Sequence, residues 1–349
     1  MSVVIVTGSC GLVGAESVKF FLKKGYDVIG IDNNQRKKFF GKDGDTTGTK
    51  KQLLKYKRYR HFSFDIRNNN LIENIFKKFK TNIKLIIHAA AQPSHDWAKN
   101  FPSTDFEINA SSTLAILELT KKYCSNSTFI YMSTNKVYGD NPNKLKLIEK
   151  KTRWEISKKD LFFKGIDESM SIDNNIHSFF GVSKTYADLI VQEYGKNLGL
   201  NCGCFRAGCI TGPGHAGAKL HGFLSFLVKK SLTTKKYDII GYKGKQVRDN
   251  IHSSDLINCF WEFFKKPKKG EIYNIGGGRF SNCSIIEAIT MLEKMCKIKI
   301  KKKYHKVNRV GDHIWYISNM GKFKKHYPNW KQKYTTKKIL KELIFSTQF

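Results

Sequence analysis

Val3-Val-Ile-Val-Thr7-Gly8-Ser-Cys-Gly11-Leu-Val-Gly14 stands near the start of the chain and decides how the rest is read. Its β-branched apolar run is a buried strand, its glycines at every third position make a tight turn, and the residues beyond Leu12 continue as a helix. In that setting Gly8 permits the turn, Gly11 lets the backbone approach a pyrophosphate, and Gly14 allows the helix to pack closely. The helix N-terminus then faces the negative charge. Asp32 ends the next apolar run, where a carboxylate hydrogen-bonds the ribose hydroxyls of NAD and repels the 2′-phosphate of NADP. Arg36 and Lys37 follow closely but belong to a polar stretch, so NAD is the expected cofactor. His88-Ala-Ala-Ala91 closes a further strand, and small residues at Ala89, Ala90 and Ala91 let the backbone lie against a dinucleotide.

Outward from this motif, apolar runs alternate with amphipathic ones: Glu16–Lys24, Asp27–Asp32, His61–Asp65, Asn69–Lys80, Leu85–Ala89, Ser112–Tyr123 and Thr128–Ser133. Such alternation implies right-handed βαβ units and a parallel sheet with helices on both faces. The expected fold is α/β, a Rossmann-type doubly wound parallel sheet with a smaller C-terminal α/β lobe that binds substrate. Residues 1–180 are expected to form the NAD-binding domain. Residues 33–60, polar and unpatterned, read as a long surface flap. Residues 181–349 are expected to build mainly the substrate lobe, with some segments returning to the sheet. They include a helix over Ser183–Leu198, a strand over Asn201–Arg206, and a helix near Gly222–Lys230.

With 349 residues and 40% hydrophobic content the chain can bury a large core without disulfides or a structural metal. Its eight cysteines show no Cys-x-x-Cys spacing; they read as reduced and mostly buried, and no metal site is expected. No stretch approaches the roughly 20 apolar residues of a membrane span, and the first residues run directly into a strand, so a cytoplasmic protein is expected. The net charge of +33 invites a nucleic-acid reading, but only nine of the 62 basic residues are arginine. Runs such as Lys265–Lys269 and Lys297–Lys303 are broken by Pro or alternating Ile, which favours a solvated basic face over a specific nucleic-acid site.

The segments Ser133-Thr-Asn-Lys-Val-Tyr-Gly-Asp140, Asp105-Phe-Glu-Ile-Asn-Ala110, Gly244-Lys-Gln-Val-Arg248-Asp and Tyr273-Asn-Ile-Gly-Gly277 recur together with Arg309-x-Gly-Asp312. In them the chain resembles the extended short-chain dehydrogenase/reductases of the NAD-dependent sugar-nucleotide epimerase/dehydratase family, over nearly its whole length. The branch it resembles is that of the CDP-paratose 2-epimerases (CDP-tyvelose epimerases). The resemblance implies a cofactor site of Gly8, Cys10, Gly11, Leu12, Val13, Gly14, Asp32, Asn33, Asp65, Ile66, Ala89, Ala90, Ala91, Asn109 and Lys184. It implies that Thr134 holds the reacting sugar oxygen, that Arg248 and Arg309 clamp a nucleotide diphosphate, and that the protein is a homodimer through helices Ser112–Tyr123 and Ser183–Leu198.

One position departs from the family. Its signature Tyr-x-x-x-Lys reads Phe180-Gly-Val-Ser-Lys184 here. The lysine that lowers a phenol pKa is present, and the phenol is not. Three readings follow. A neighbouring group handles the proton, with His95 in Gln92-Pro-Ser-His-Asp-Trp97 the leading candidate and His177 and His215 weaker ones. Alternatively the chain binds NAD and a sugar nucleotide but runs another reaction, or it is a catalytically silent binder. Tyr186 lies about 200° around the helix from Lys184 and does not replace residue 180.

Overall fold

The computed structural model describes residues 2–215, 217, 222–306, 308 and 311–348. A seven-stranded parallel sheet is built from β1 (Val3–Thr7), β2 (Asp27–Ile31), β3 (Tyr59–Phe62), β4 (Ile83–His88), β5 (Thr128–Thr134), β6 (Asn201–Ala207) and β7 (Glu271–Ile275). Their order, β7-β6-β5-β4-β1-β2-β3, reverses direction between β1 and β4. Chains leaving the carboxyl ends of these two strands diverge there and open the crevice in which doubly wound folds bind ligands. All five residues of β1 are buried, as a central strand covered on both faces requires.

The chain divides into two compact units. The first comprises Met1–Val137, Phe179–Arg206 and Ile257–Tyr273. Its core joins Val3, Ile5, Ile29 and Ile86 of the sheet to Phe76, Ile116, Leu117 and Val191 of the flanking helices. The second comprises Tyr138–Ser178, Ala207–Leu256 and Asn274–Phe349. Segments 179–206 and 257–273 thus group with the sheet-bearing unit, and 138–178 with the second. In the second unit the strand Val247–His252 pairs with Cys209–Thr211 and Trp315–Tyr316 in parallel and with Asn282–Ser284 antiparallel. Its apolar core includes Leu224, Leu227, Ile239, Ile289, Leu292 and Leu340. Among the described residues no helix is long and apolar enough to cross a membrane.

Residues 33–60 are not the loop expected from sequence. Gln35–Phe40 and Thr47–Leu53 are helices joined by a turn of 3-10 helix, and Tyr59 already belongs to β3. The polar residues that hide the pattern bond to one another. Asn34, in the left-handed region at φ 57°, donates to Asp45 Oδ1 at 2.9 Å and accepts from Thr46 N at 3.0 Å. Leu53 is buried, and the Phe39 ring meets Trp97 at 4.8 Å. Such local side-chain to backbone bonds have no period, so periodicity misses them.

The cysteines are free, and Cys202 and Cys204 are fully buried on one face of β6. Gly14 is buried in the first turn of the helix Leu12–Lys23, and a Cβ there would collide with the Gly8 carbonyl. Gly14→Ala is therefore expected to destabilise the fold by about 2 kcal/mol or more in urea-induced unfolding. An unchanged midpoint would contradict that packing.

Candidate active site

Gly8 has φ +66°, and a Cβ on it would sit 2.8 Å from Ala90 Cα, so only glycine lets the β1 turn lie against the Ala89-Ala90 backbone. The helix Leu12–Lys23 begins at Gly11 with no side-chain cap, which leaves its first N–H groups for another acceptor. Leu12 and Val13 form its half-buried first turn. Asp32 lies beside this turn: Oδ2 accepts from Cys10 N at 3.0 Å and Oδ1 from Asn34 N at 2.7 Å. The Cys10 thiol is pushed up to about 12 by burial and by Asp32, so it is a packing group rather than a nucleophile. Asn33 Nδ2 donates to Asp65 Oδ2 at 3.2 Å, Asp65 is paired with Arg67, and the Ile66 side chain is buried in the core. Lys37 pairs with Asp45, and the Arg36 guanidinium lies over the Phe40 ring.

At the end of β4 a directed chain of hydrogen bonds fixes the backbone. Thr113 Oγ1 donates to Asn109 O at 2.7 Å and meets His88 Nε2 at 3.0 Å; His88 Nδ1 meets Thr7 Oγ1 at 2.7 Å; Ala90 N donates to Thr7 Oγ1 at 3.2 Å. Because the Thr113 proton is spent on Asn109, His88 donates from Nε2, and a neutral ring then accepts from Thr7 at Nδ1. Burial and the charge of Lys184 lower the His88 pKa to about 3, which agrees with that tautomer.

Thr134 ends β5 half-buried, its Oγ1 accepting from Lys136 N at 3.3 Å. On the helix Phe179–Lys196, Phe180, Ser183 and Lys184 share one buried face, as i, i+3 and i+4 spacing dictates. Lys184 Nζ donates to Met132 O at 2.7 Å and lies 4.2 Å from the Tyr131 ring centre. Burial lowers its pKa to about 7, against the opposing pull of Asp188, Asp105 and Cys204. Beneath β5, Asp188 accepts from Ser133 Oγ at 2.5 Å and is ion-paired with Arg206 at 2.7 Å, with both side chains buried.

His95 begins the short helix His95–Asn100 and is half-buried. Its ring meets Phe180 edge-to-face, with centroids 4.9 Å apart. Asn109, in a π-helical turn, exchanges two bonds with the Gln92 backbone, Gln92 N to Oδ1 at 3.0 Å and Nδ2 to Gln92 O at 3.1 Å. The fold thus brings together His95, Asn109, Phe180 and Lys184. Tyr186 stands on the outer face against Phe106. Tyr138 is fully buried and bonds Asn274 at 2.7 Å, a structural contact.

In the second unit the Arg248 guanidinium donates to Asp312 and to Val247 O, so its fork is partly engaged by protein. Arg309 lies outside the described residues. His177 shares a hydrogen bond with Ile172 O at 2.9 Å. Asp249 accepts from Ser318 N and Gly278 N, and Asp255 from Lys333 N and Tyr334 N; both fix loops.

Residues 4–276 match the family model described as the NAD dependent epimerase/dehydratase family. The chain belongs to this family. A relative within it, CDP-paratose 2-epimerase of Salmonella typhi, is 32% identical over 303 residues that cover 85% of each chain. The UDP-glucose 4-epimerase of Thermotoga maritima, solved with UDP-glucose, shares the fold at TM-score 0.80 and 21% identity, covering 99% of this chain and 98% of that one. The dTDP-glucose 4,6-dehydratase of Bacillus anthracis, solved with NAD, shares it at TM-score 0.76 and 22% identity, covering 100% and 97%. The chain is therefore an enzyme of an NAD-dependent epimerase/dehydratase family. Its own residues fit a dinucleotide: the Gly8 cradle would be filled by a Cβ, the Gly11 helix start is uncapped, and Asp32 is fixed by backbone amides at the turn.

Residue spacing did not single out Asp105, Asp188, Gln92 or Ser183 as site residues. Each is buried, and only the assembled fold reveals that burial. Lys184 yields a pH-dependent test. Its pKa is about 7 in the fold against 10.5 for an ordinary lysine, so between those values the unfolded chain holds the extra proton and rising pH favours the fold. For ligand-free protein, the Tm of Lys184→Met minus that of native protein is expected to change little below about pH 7 and to fall from pH 7 to about pH 9. A difference that stays flat would mean Lys184 is not desolvated.

Proposed function

We propose that the chain is an NAD-dependent epimerase of a nucleotide-diphosphate sugar, CDP-paratose 2-epimerase-like, which oxidises a sugar carbon to a transient ketone and reduces it again. The carrying observation is the contact of His95 with Phe180, 4.9 Å between ring centres and one helical turn from buried Lys184. A titratable ring stands beside the position that lacks the family hydroxyl. In this reading Thr134 holds the reacting sugar oxygen and His95 takes its proton. Lys184 supplies positive potential from a dry site and, with the Gly8–Gly14 turn, Asp32, Asn33, Asp65, Ile66, Ala89–Ala91 and Asn109, holds the cofactor. The chemistry that a bound NAD would supply there is reversible hydride acceptance from the sugar carbon, so net redox would be zero. Arg248 and Arg309 are assigned to the diphosphate, where an arginine fork matches phosphate oxygens. The identity to CDP-paratose 2-epimerase supports a CDP-linked sugar and inversion over dehydration.

Phe180 itself favours a second reading, in which NAD and a sugar nucleotide bind but another reaction, or none, takes place. The two separate on purified protein. Its bound nucleotide is released and identified, and holo-protein is incubated with CDP-, UDP-, GDP- and dTDP-sugars while product mass is followed. Native protein is expected to carry NAD and convert a CDP-sugar, with His95→Ala slower by about 100-fold or more and its bound NAD unchanged. Conversion only after Phe180→Tyr would favour the second reading.

A homodimer is proposed on the outer face of helix Phe179–Lys196, where Phe179, Val182, Tyr186 and Leu189 stay exposed at helical spacing beside Phe106. Native protein is expected at twice the 40.1 kDa chain mass in light scattering, and Leu189→Asp at the chain mass. A native monomer would remove the dimer.

A further inference from the structure

We propose that Asp105 is a positioning residue for His95, acting through Gln92; this rests on the reading of His95 as the acid/base. Three donors from three segments converge on its carboxylate. Gln92 Nε2 at 2.7 Å and Asn109 Nδ2 at 3.0 Å reach Oδ1, and Ser183 Oγ at 2.6 Å reaches Oδ2. Gln92 then closes on the segment leading to His95, its Nε2 donating to Ser94 O at 2.9 Å and its Oε1 accepting from Ser94 N at 2.5 Å. Ser94 Oγ caps the helix that starts at His95 by accepting from Trp97 N at 3.2 Å. Asp105 is 1% exposed and Gln92 0%, so water does not compete for these bonds.

One carboxylate thus ties the His95 segment, the Asn109 turn and the helix bearing Phe180 and Lys184. Phe180 adds the remaining constraint. Its buried ring packs edge-to-face on His95, so a side chain with no proton to exchange still limits where the imidazole can go. Holding an acid/base to a fraction of an ångström matters because a misplacement of about 1 Å lowers a rate about 100-fold.

The geometry separates position from charge. In Asp105→Asn the amide oxygen can accept from Gln92 and Asn109 while its NH2 donates to Ser183 Oγ, which keeps its bond to Phe180 O at 3.1 Å. The latch survives without the charge. Asp105→Ala and Gln92→Leu remove it.

The experiment measures kcat, KM and bound NAD for holo-enzyme variants with the CDP-sugar. Gln92→Leu is expected to lower kcat about 100-fold with KM and bound NAD close to native, and Asp105→Ala to lower kcat at least as much, whereas Asp105→Asn stays within about fivefold. Added to His95→Ala, Gln92→Leu lowers the rate no further, because it acts only through His95. Should Asp105→Ala fail to fold, Gln92→Leu, which leaves Asp105 bonded to Asn109 and Ser183, still decides. Equal damage from Asp105→Asn and Asp105→Ala, or additive losses in the double variant, would overturn the latch. If His95→Ala is inactive while Gln92→Leu matches native, the acid/base reading stands and the latch alone falls. If His95→Ala keeps the native kcat, both fall.

Discussion

Lys184 puts an ammonium group inside the first unit at 4% exposure, and the surrounding chain is arranged around that desolvated charge. Removing a cation from water is expensive unless acceptors and counter-charges surround it. Here the Met132 carbonyl accepts directly, the Tyr131 ring offers its face, and Asp188 and Asp105 lie within electrostatic reach. Asp188 is itself tied to Arg206 and Ser133, and Asp105 to Gln92, Asn109 and Ser183. The charge thereby links β5, the helix Phe179–Lys196 and the segment that carries His95. With burial as the larger cause, it also helps keep His88 neutral at the end of β4, where the neutral ring can both donate and accept.

This scaffold makes the loss of a single hydroxyl intelligible. In Tyr-x-x-x-Lys sites the buried cation serves by acidifying a phenol. With phenylalanine at 180 the cation still shapes the potential of the site, while proton exchange must come from a group that reaches the site from another element. In the proposed mechanism that group is His95, which comes from the segment after β4 and packs edge-to-face on the ring at 180.

Much of this was legible in the chain because it is local. The glycine turn, Asp32, the alanines after His88 and Lys184 are defined by spacing along one strand or helix, and the turn, strand ends and helix that carry them form where that spacing puts them. The flap at 33–60 was misread because Asn34, Asp45, Thr46 and Thr47 stabilise two short helices through side-chain bonds that leave no hydrophobic period. Asp105 and Asp188 were invisible as site residues for a different reason: their partners lie far away in sequence, and burial turns an ordinary aspartate into a constraint. Arg248 was picked out by resemblance alone, and its pairing with Asp312 depends on a loop that sequence alone does not fold. The lysine-rich strand Lys301–His305 is exposed throughout, its charge facing solvent as the run's composition suggested. Lysines on such an exposed strand discourage pairing with another sheet.

The central claim is that an imidazole, supplied by His95 and not by a phenol at 180, carries the proton. Chemical rescue tests it most directly: His95→Ala holo-protein is given the CDP-sugar with increasing free imidazole, and turnover is compared with that of Lys184→Met treated identically. The account predicts that imidazole restores turnover to His95→Ala in proportion to its neutral form and leaves Lys184→Met unrestored. A His95→Ala protein that turns over at the native rate, or one that no imidazole concentration revives while native protein is active, would contradict it.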